Sequence, residues 1–342
     1  MIKNNNVLKS CLTVLAIYVF APITTLLVFA IIIGMMISGA IKNSNEFKKT
    51  AAKSSTNVIS KIKGLEIIRD CGTAQGILQI KISDIIRYSE EPKSYFSDVG
   101  KSVIEKIDFA IAEENIKAIL IIVDSPGGEV TACDEIYNML LRFKKSRADR
   151  KVFALFKSVA ASGAYYIACA SDHIMSMPTA VIGSIGVRMS TFNVYNLITN
   201  IGISEVTVKS GNSKDLLNPF QPSRSNDLEI IQKIVDDMFT RFTKIVSNER
   251  KIDLTNVLEI ADGRVMTAND ALNCKLIDSI GYIGNCYNKI DELLGEKLSV
   301  AQFAPKITFS SIFEYSISKL NLRLPFHTKP DVFYYLWSSS EL

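Results

Sequence analysis

Histidine is nearly missing from this chain: His173 and His327 are the only two in 342 residues. A histidine-based hydrolytic site or an imidazole-rich metal centre therefore has little to draw on. The six cysteines (Cys11, Cys71, Cys133, Cys169, Cys274 and Cys286) form no CxxC and no Cys/His pair at zinc spacing. They are expected as small buried hydrophobes. No metal and no organic cofactor is implied. The net charge is only +4, and no basic stripe interleaves with aromatics, so a nucleic-acid partner is not expected. No internal repeat is visible.

What the chain has in excess is apolar residues, 48% against 22% charged. Residues 11–41 contain no charged side chain, with Lys9 before the run and Lys42 after it. A membrane-spanning helix needs about 20 apolar residues, whereas a cleaved signal peptide has an apolar region of about 7–15. An uncleaved anchor is the expected reading, and Ser38-Gly39-Ala40 keeps cleavage as the alternative. Lys3 and Lys9 precede the run, while Lys42, Lys48, Lys49 and Lys53 follow it, a balance that would put the bulk of the protein inside the cell. Residues 42–63, rich in Lys, Asn, Ser and Thr, read as a linker.

Beyond the linker, strand and helix patterns alternate. Strands are expected at 76–85, 117–123, 151–156, 173–177, 185–189 and 204–209, and helices at 99–113, 129–143, 162–170, 191–200 and 227–248. Short helices are expected over 254–281. The near-continuous KAILIIV run, Lys117–Val123, suits a strand buried on both faces. The alternation argues an α/β fold with largely parallel pairing.

Two turns carry chemistry. KAILIIV runs into Asp124-Ser125-Pro126-Gly127-Gly128, where proline and paired glycine end the strand and expose backbone amides. The 151–156 strand leads to Ser162-Gly163 at the start of a short helix. A lone serine there is most often a helix cap. Both turns, however, fall at strand carboxyl ends, where open α/β sheets place their sites, which raises Ser162 to a candidate nucleophile. Its base is left open by the residues alone. His173 lies eleven positions on but in no triad spacing, and Lys214 would need burial to lower an amine pKa that is ordinarily about 10.4.

Six segments resemble, in order, the signal peptide peptidase A family of membrane-anchored serine peptidases, within the Clp-protease/crotonase-like superfamily. They are Asp124–Val130 (DSPGGEV), Val159–Ile174 (VAASGAYYIACASDHI), Pro178–Val187 (PTAVIGSIGV), Val208–Asp215 (VKSGNSKD), Ala261–Ala271 (ADGRVMTANDA) and Leu276–Gly281 (LIDSIG). The resemblance covers about Gly76 to Gly281. It implies a ββα-superhelix fold behind an N-terminal transmembrane helix: a tail at 1–10, an anchor at 11–41, a linker at 42–63, a peptidase domain at 64–298 and an extension at 299–342. It implies Ser162 as nucleophile, Lys214 as general base, Ser184 as the residue orienting that lysine, and Gly128 (or its neighbour Gly127) together with Gly163 as oxyanion donors. It further implies peptide substrates such as cleaved signal peptides. It implies a homo-oligomeric ring whose neighbouring subunits share the dyad, and a catalytic domain outside the cytoplasmic membrane, against the lysine balance. Two departures stand out: Asp124 replaces the usual Asn, where a carboxylate could slow catalysis if it points inward, and Ala164 replaces a second glycine. A crotonase-like acyl-CoA enzyme and an inactive membrane scaffold are the alternatives.

Overall fold

The computed structural model describes residues 62, 64–88 and 99–304, and the backbone of 334–336. The expected anchor, all of the linker but residue 62, and most of the extension lie outside the described residues. Among the described residues no helix is long and apolar enough to cross a membrane.

In chain order the elements are β1 (Leu65–Arg69), β2 (Gly76–Ser83), α1 (Val99–Ala112), β3 (Ile116–Ser125), β4 (Gly127–Glu129), α2 (Val130–Ser146), β5 (Lys151–Ala161), α3 (Gly163–Ala168), β6 (His173–Ser176) and β7 (Val181–Gly183). They continue with α4 (Tyr195–Asn200), α5 (Ser225–Arg250), α6 (Leu254–Ile260), β8 (Val265–Thr267), α7 (Ala268–Asn273), β9 (Ser279–Ile280), α8 (Ile283–Leu294), β10 (Ser299–Phe303) and β11 (Tyr334–Leu336). Nine strands form one sheet in the order β1-β10-β2-β3-β5-β6-β9, with β7 joined to β5 and β8 to β7. Pairing is parallel from β10 through β9, and antiparallel at β1–β10 and β7–β8. β10 places Ser299–Phe303 inside this sheet, so the sheet continues past residue 298.

β3 is central because its sequence leaves it no wet face. Ala118, Ile119, Leu120, Ile121 and Val123 are all fully buried. Alternate residues feed opposite cores. Ile119, Ile121 and Val123 pack with α1, α2 and α3, whereas Ala118, Leu120 and Ile122 pack with Cys286 and Ile290 of α8. A two-residue period on a strand covered on both sides yields this division.

Two expected strands are absent. Residues 185–189 do not form one; the strand lies earlier, at Val181–Gly183, where β5 and β8 offer partners on both sides. Residues 204–209 are irregular, with Val206 87% and Val208 96% exposed. The alternation of apolar residues there is real, but among the described residues no strand lies alongside to take up its amides, and α4 beside it buries no residue. The five cysteines among the described residues are free, and burial alone pushes the Cys286 thiol up to about 12.

Candidate active site

β5 does two jobs in one strand. Its first half, Lys151–Phe156, pairs with β3, and Phe153–Phe156 also pair with β6. After a break in the register, Val159–Ala161 pair with β7 instead, and Ala160 lies opposite Ser125 at the end of β3. The change of partner falls at Lys157-Ser158, where Asp124 is used: its carboxylate accepts the Ser158 N–H at 3.3 Å and the Val159 N–H at 3.2 Å. The Asp124 carboxylate thus ties the end of β3 to the point where β5 changes partner.

The strand delivers Ser162. Its backbone stands at φ 55°, ψ −120°, which L-residues rarely adopt and which costs on the order of 1–3 kcal/mol unless the surroundings enforce it. The surroundings do. The Ser162 N–H is donated to Gly183 O at 2.7 Å, the Ser162 carbonyl accepts the Tyr166 N–H at 2.9 Å, and the residue is 1% exposed. A serine on a sharp strand-to-helix turn with φ above zero is the backbone arrangement that presents a nucleophile. Gly163 opens α3, so its N–H lies among those that a helix start leaves without a helical partner. Ala164 is fully buried in the main core, so the methyl group at this position packs without loss.

α3 is anchored from below. The Tyr165 hydroxyl donates to Leu276 O at 2.8 Å. Tyr166 bonds Asp134 of α2, and Arg241 of α5 grips both, with Nη2 2.6 Å from Asp134 and Nε 3.1 Å from the Tyr166 oxygen. The rings of Tyr166 and Phe242 lie 5.1 Å apart. Polar and apolar contacts thus hold α3 to two neighbouring helices.

Ser184 comes next to this turn through β7, since Ala161 lies opposite Gly183. It too has a positive φ, 50°, and its N–H donates to Arg264 O at 2.7 Å. The PGG turn forms the other wall. Gly127 has φ 101°, and its N–H is already donated to Ser125 Oγ at 3.1 Å. Gly128 passes so close to Ile86 that a Cβ there would stand 1.7 Å from the Ile86 carbonyl oxygen. No side chain fits. On its other edge β4 carries β11 as an antiparallel neighbour, with Tyr335 opposite Gly128.

Lys214 is not gathered into this group. It is exposed, and among the described residues no hydrogen bond or ion pair joins its ammonium to Ser162 or Ser184. Its loop is pinned by Asp215, whose carboxylate takes Lys209 Nζ and Arg224 Nη2, each at 2.7 Å. These two cations, Lys209 first, hold the Asp215 carboxyl down to about 2. Asp215 is therefore occupied with them and not with Lys214. His173 is spoken for as well: Nε2 lies 2.9 Å from Ser279 Oγ, Nδ1 lies 4.0 Å from Asp278, and burial lowers its pKa. Sequence reasoning missed the parts played by Ser125 and Ile86, which only the packing of β4 against residues 84–88 makes visible.

Residues 144–297 match the family model for peptidase family S49, and residues 81–183 match that for Clp protease. A Methanocaldococcus jannaschii protein named as a protease is 31% identical over 190 residues, 56% of this chain and 60% of its own length. An Enterococcus faecium protein named as a signal peptide peptidase SppA is 34% identical over 203 residues, 59% of this chain and 55% of its own. A Synechocystis protein named as a protease is 35% identical over 185 residues, 54% of this chain and 65% of its own. The matched stretch thus spans 55–65% of the length of these relatives. The two family matches overlap on the strand and turn that carry Ser162, and over residues 144–297 the chain is similar to peptidase family S49.

Proposed function

We propose that the chain is a serine endopeptidase that uses a Ser162–Lys214 dyad on extended, apolar peptides such as cleaved signal peptides. The observation that carries this reading is the pairing of a strained, buried Ser162 with a strand edge, β4, that already accepts an extended backbone segment. Adding a strand to an exposed edge is a general way to bind a peptide irrespective of its side chains.

Ser162 Oγ attacks the peptide carbonyl carbon while the neutral Lys214 amine takes its proton. The amides of Gly128 and Gly163 stabilise the oxyanion. The ammonium of Lys214 then protonates the leaving amine, and the C–N bond breaks to leave an acyl-Ser162. Water, deprotonated by the same amine, resolves the ester and restores the serine. Ser184 holds the lysine in line.

Lys214 reaches the site from a neighbouring copy. The segment that bears it exposes Phe192, Leu197, Ile201, Ile203, Val206 and Val208 in the single chain, an apolar surface that a second copy would cover. A ring built this way leaves a lone subunit inactive. Residues 11–41 anchor the assembly in the cytoplasmic membrane, with the peptidase domain, which begins at residue 64 and takes in β10, on its outer side.

The test is complementation. Ser162→Ala and Lys214→Ala chains are each expected to be inactive on a fluorogenic peptide, and mixing them is expected to restore activity. Activity in either variant alone refutes the dyad. Two inactive variants that stay inactive when mixed, although they co-assemble, refute the shared site.

A further inference from the structure

We infer that Ser125, seconded by Glu129, is a positioning residue that sets the Gly128 amide at the oxyanion. The inference rests on the reading of Ser162 as nucleophile and extends it to residues outside the reacting set.

Residues 84–88 are laced to 125–129 along their length. The Ser125 hydroxyl donates to Asp84 O at 2.5 Å and accepts the Gly127 N–H at 3.1 Å. A hydroxyl has one proton to give, so both bonds are satisfied only in this orientation. Ile86 then donates its N–H to Gly127 O at 2.9 Å and accepts the Glu129 N–H at 2.7 Å. Glu129 closes the far end, its Oε2 accepting the Tyr88 N–H at 3.1 Å. Ser125 is fully buried and Glu129 is 8% exposed, so these two side chains bracket the glycine pair from within the fold.

The consequence follows from strand alternation. Gly127 O and Glu129 N face Ile86, so the N–H and carbonyl of Gly128 face the opposite edge. That edge is the one β11 pairs with, and α3 packs against both strands. Since Ser125 consumes the Gly127 N–H, the Gly128 N–H is the amide this turn can offer an oxyanion once β11, which pairs with that edge here, gives way to substrate. Two adjacent glycines are the least rigid backbone a protein can offer, whereas an oxyanion donor must lie within about 2.7–3.1 Å of the developing charge. Ser125 supplies the missing stiffness at the start of the pair and Glu129 at its end.

The test uses the full-length, assembled protein, a fluorogenic peptide and a peptide boronic acid, whose tetrahedral adduct draws on the oxyanion amides. In Ser125→Ala, kcat is expected to fall about 10–100-fold, less than the 10²–10³-fold cost of deleting a donor. KM should stay within about twofold, and boronate binding should weaken by the same factor as kcat. Ser125→Thr, which keeps the hydroxyl, should restore both. The inference is overturned if Ser125→Ala keeps kcat within about twofold of wild type. It is equally overturned if Ala and Thr lose kcat alike with a lowered melting temperature, since packing would then be the cause. Should the alanine variant not fold, Ser125→Cys, of similar size but a weaker hydrogen-bonding group, is read by the same criteria. Ser162→Ala, run in parallel, separates the two readings. Activity in that variant removes the nucleophile, whereas an inactive Ser162→Ala beside a fully active Ser125→Ala removes only the bracket.

Discussion

Gly128→Ala is the sharpest single perturbation the site offers. An alanine Cβ would lie 1.7 Å from Ile86 O, 2.5 Å from Ile86 C and 2.7 Å from Ile86 Cα, all backbone atoms. Real Cβ atoms essentially never approach below 3.0 Å, so β4 and residue 86 must part by about 1.3 Å. Such a shift breaks the 2.9 Å and 2.7 Å bonds that Ile86 makes to Gly127 and Glu129. Each is worth about 1 kcal/mol net, and more if a buried partner is left unpaired. Together they predict a loss of about 2–4 kcal/mol. For a domain of this size that is a fall in melting temperature of roughly 5–15 °C. The same shift carries the Gly128 amide out of oxyanion range, so kcat should drop by about 10²–10³-fold even where the variant is still folded. Differential scanning calorimetry and steady-state hydrolysis below the lowered transition measure the two effects separately. A variant with an unchanged melting temperature and wild-type kcat would refute both the close approach and the assignment of the amide.

Further outcomes follow from the surrounding residues. Asp124→Ala removes the acceptor for the Ser158 and Val159 amides and should lower stability by about 1–2 kcal/mol. Asp124→Asn keeps an acceptor and should leave kcat unchanged; a large rise in kcat would show that the carboxylate acts on the oxyanion after all. His173→Ala should keep kcat within about twofold, because the imidazole is engaged by Ser279 and Asp278; a collapse of activity would make it the base. The Asp215 carboxyl is held down to about 2, so its bonds to Lys209 and Arg224 support the Lys214 loop above the ordinary carboxylate pKa of about 3.9, and that support is lost as pH falls towards 2. Hydrogen-exchange protection over residues 209–224, taken relative to the intrinsic rate at each pH, should therefore fall across that window, and in Asp215→Asn it should be low already at neutral pH.

The sequence made the sheet's centre legible because β3 and β5 are long apolar runs that no other element suits. It made Ser162 and the PGG turn legible because glycine, proline and serine leave few backbone options. Lys157-Ser158 shows what it hid: β5 changes partner there, and nothing local marks the change, while the carboxylate that takes the amides at that point belongs to Asp124 on another strand. Val206 and Val208 misled because alternation reports a face to be covered, not the presence of a cover. Gly127 and Gly128 are indistinguishable as letters. Only the approach of Ile86 shows that one spends its amide on Ser125 and the other has no room for a side chain.

β11 has a consequence for anything that binds beside Ser162. A row of amides can bond one strand at a time, so Tyr334–Leu336 and an incoming peptide are mutually exclusive on β4. The occupant belongs to the same chain, and its local concentration does not dilute with the protein. A peptide's apparent affinity is then its intrinsic affinity scaled by the fraction of molecules whose edge stands open. If Ser162 is the nucleophile, the hydrolysis rate at low substrate reports the equilibrium of a three-residue strand as much as the chemistry of the serine.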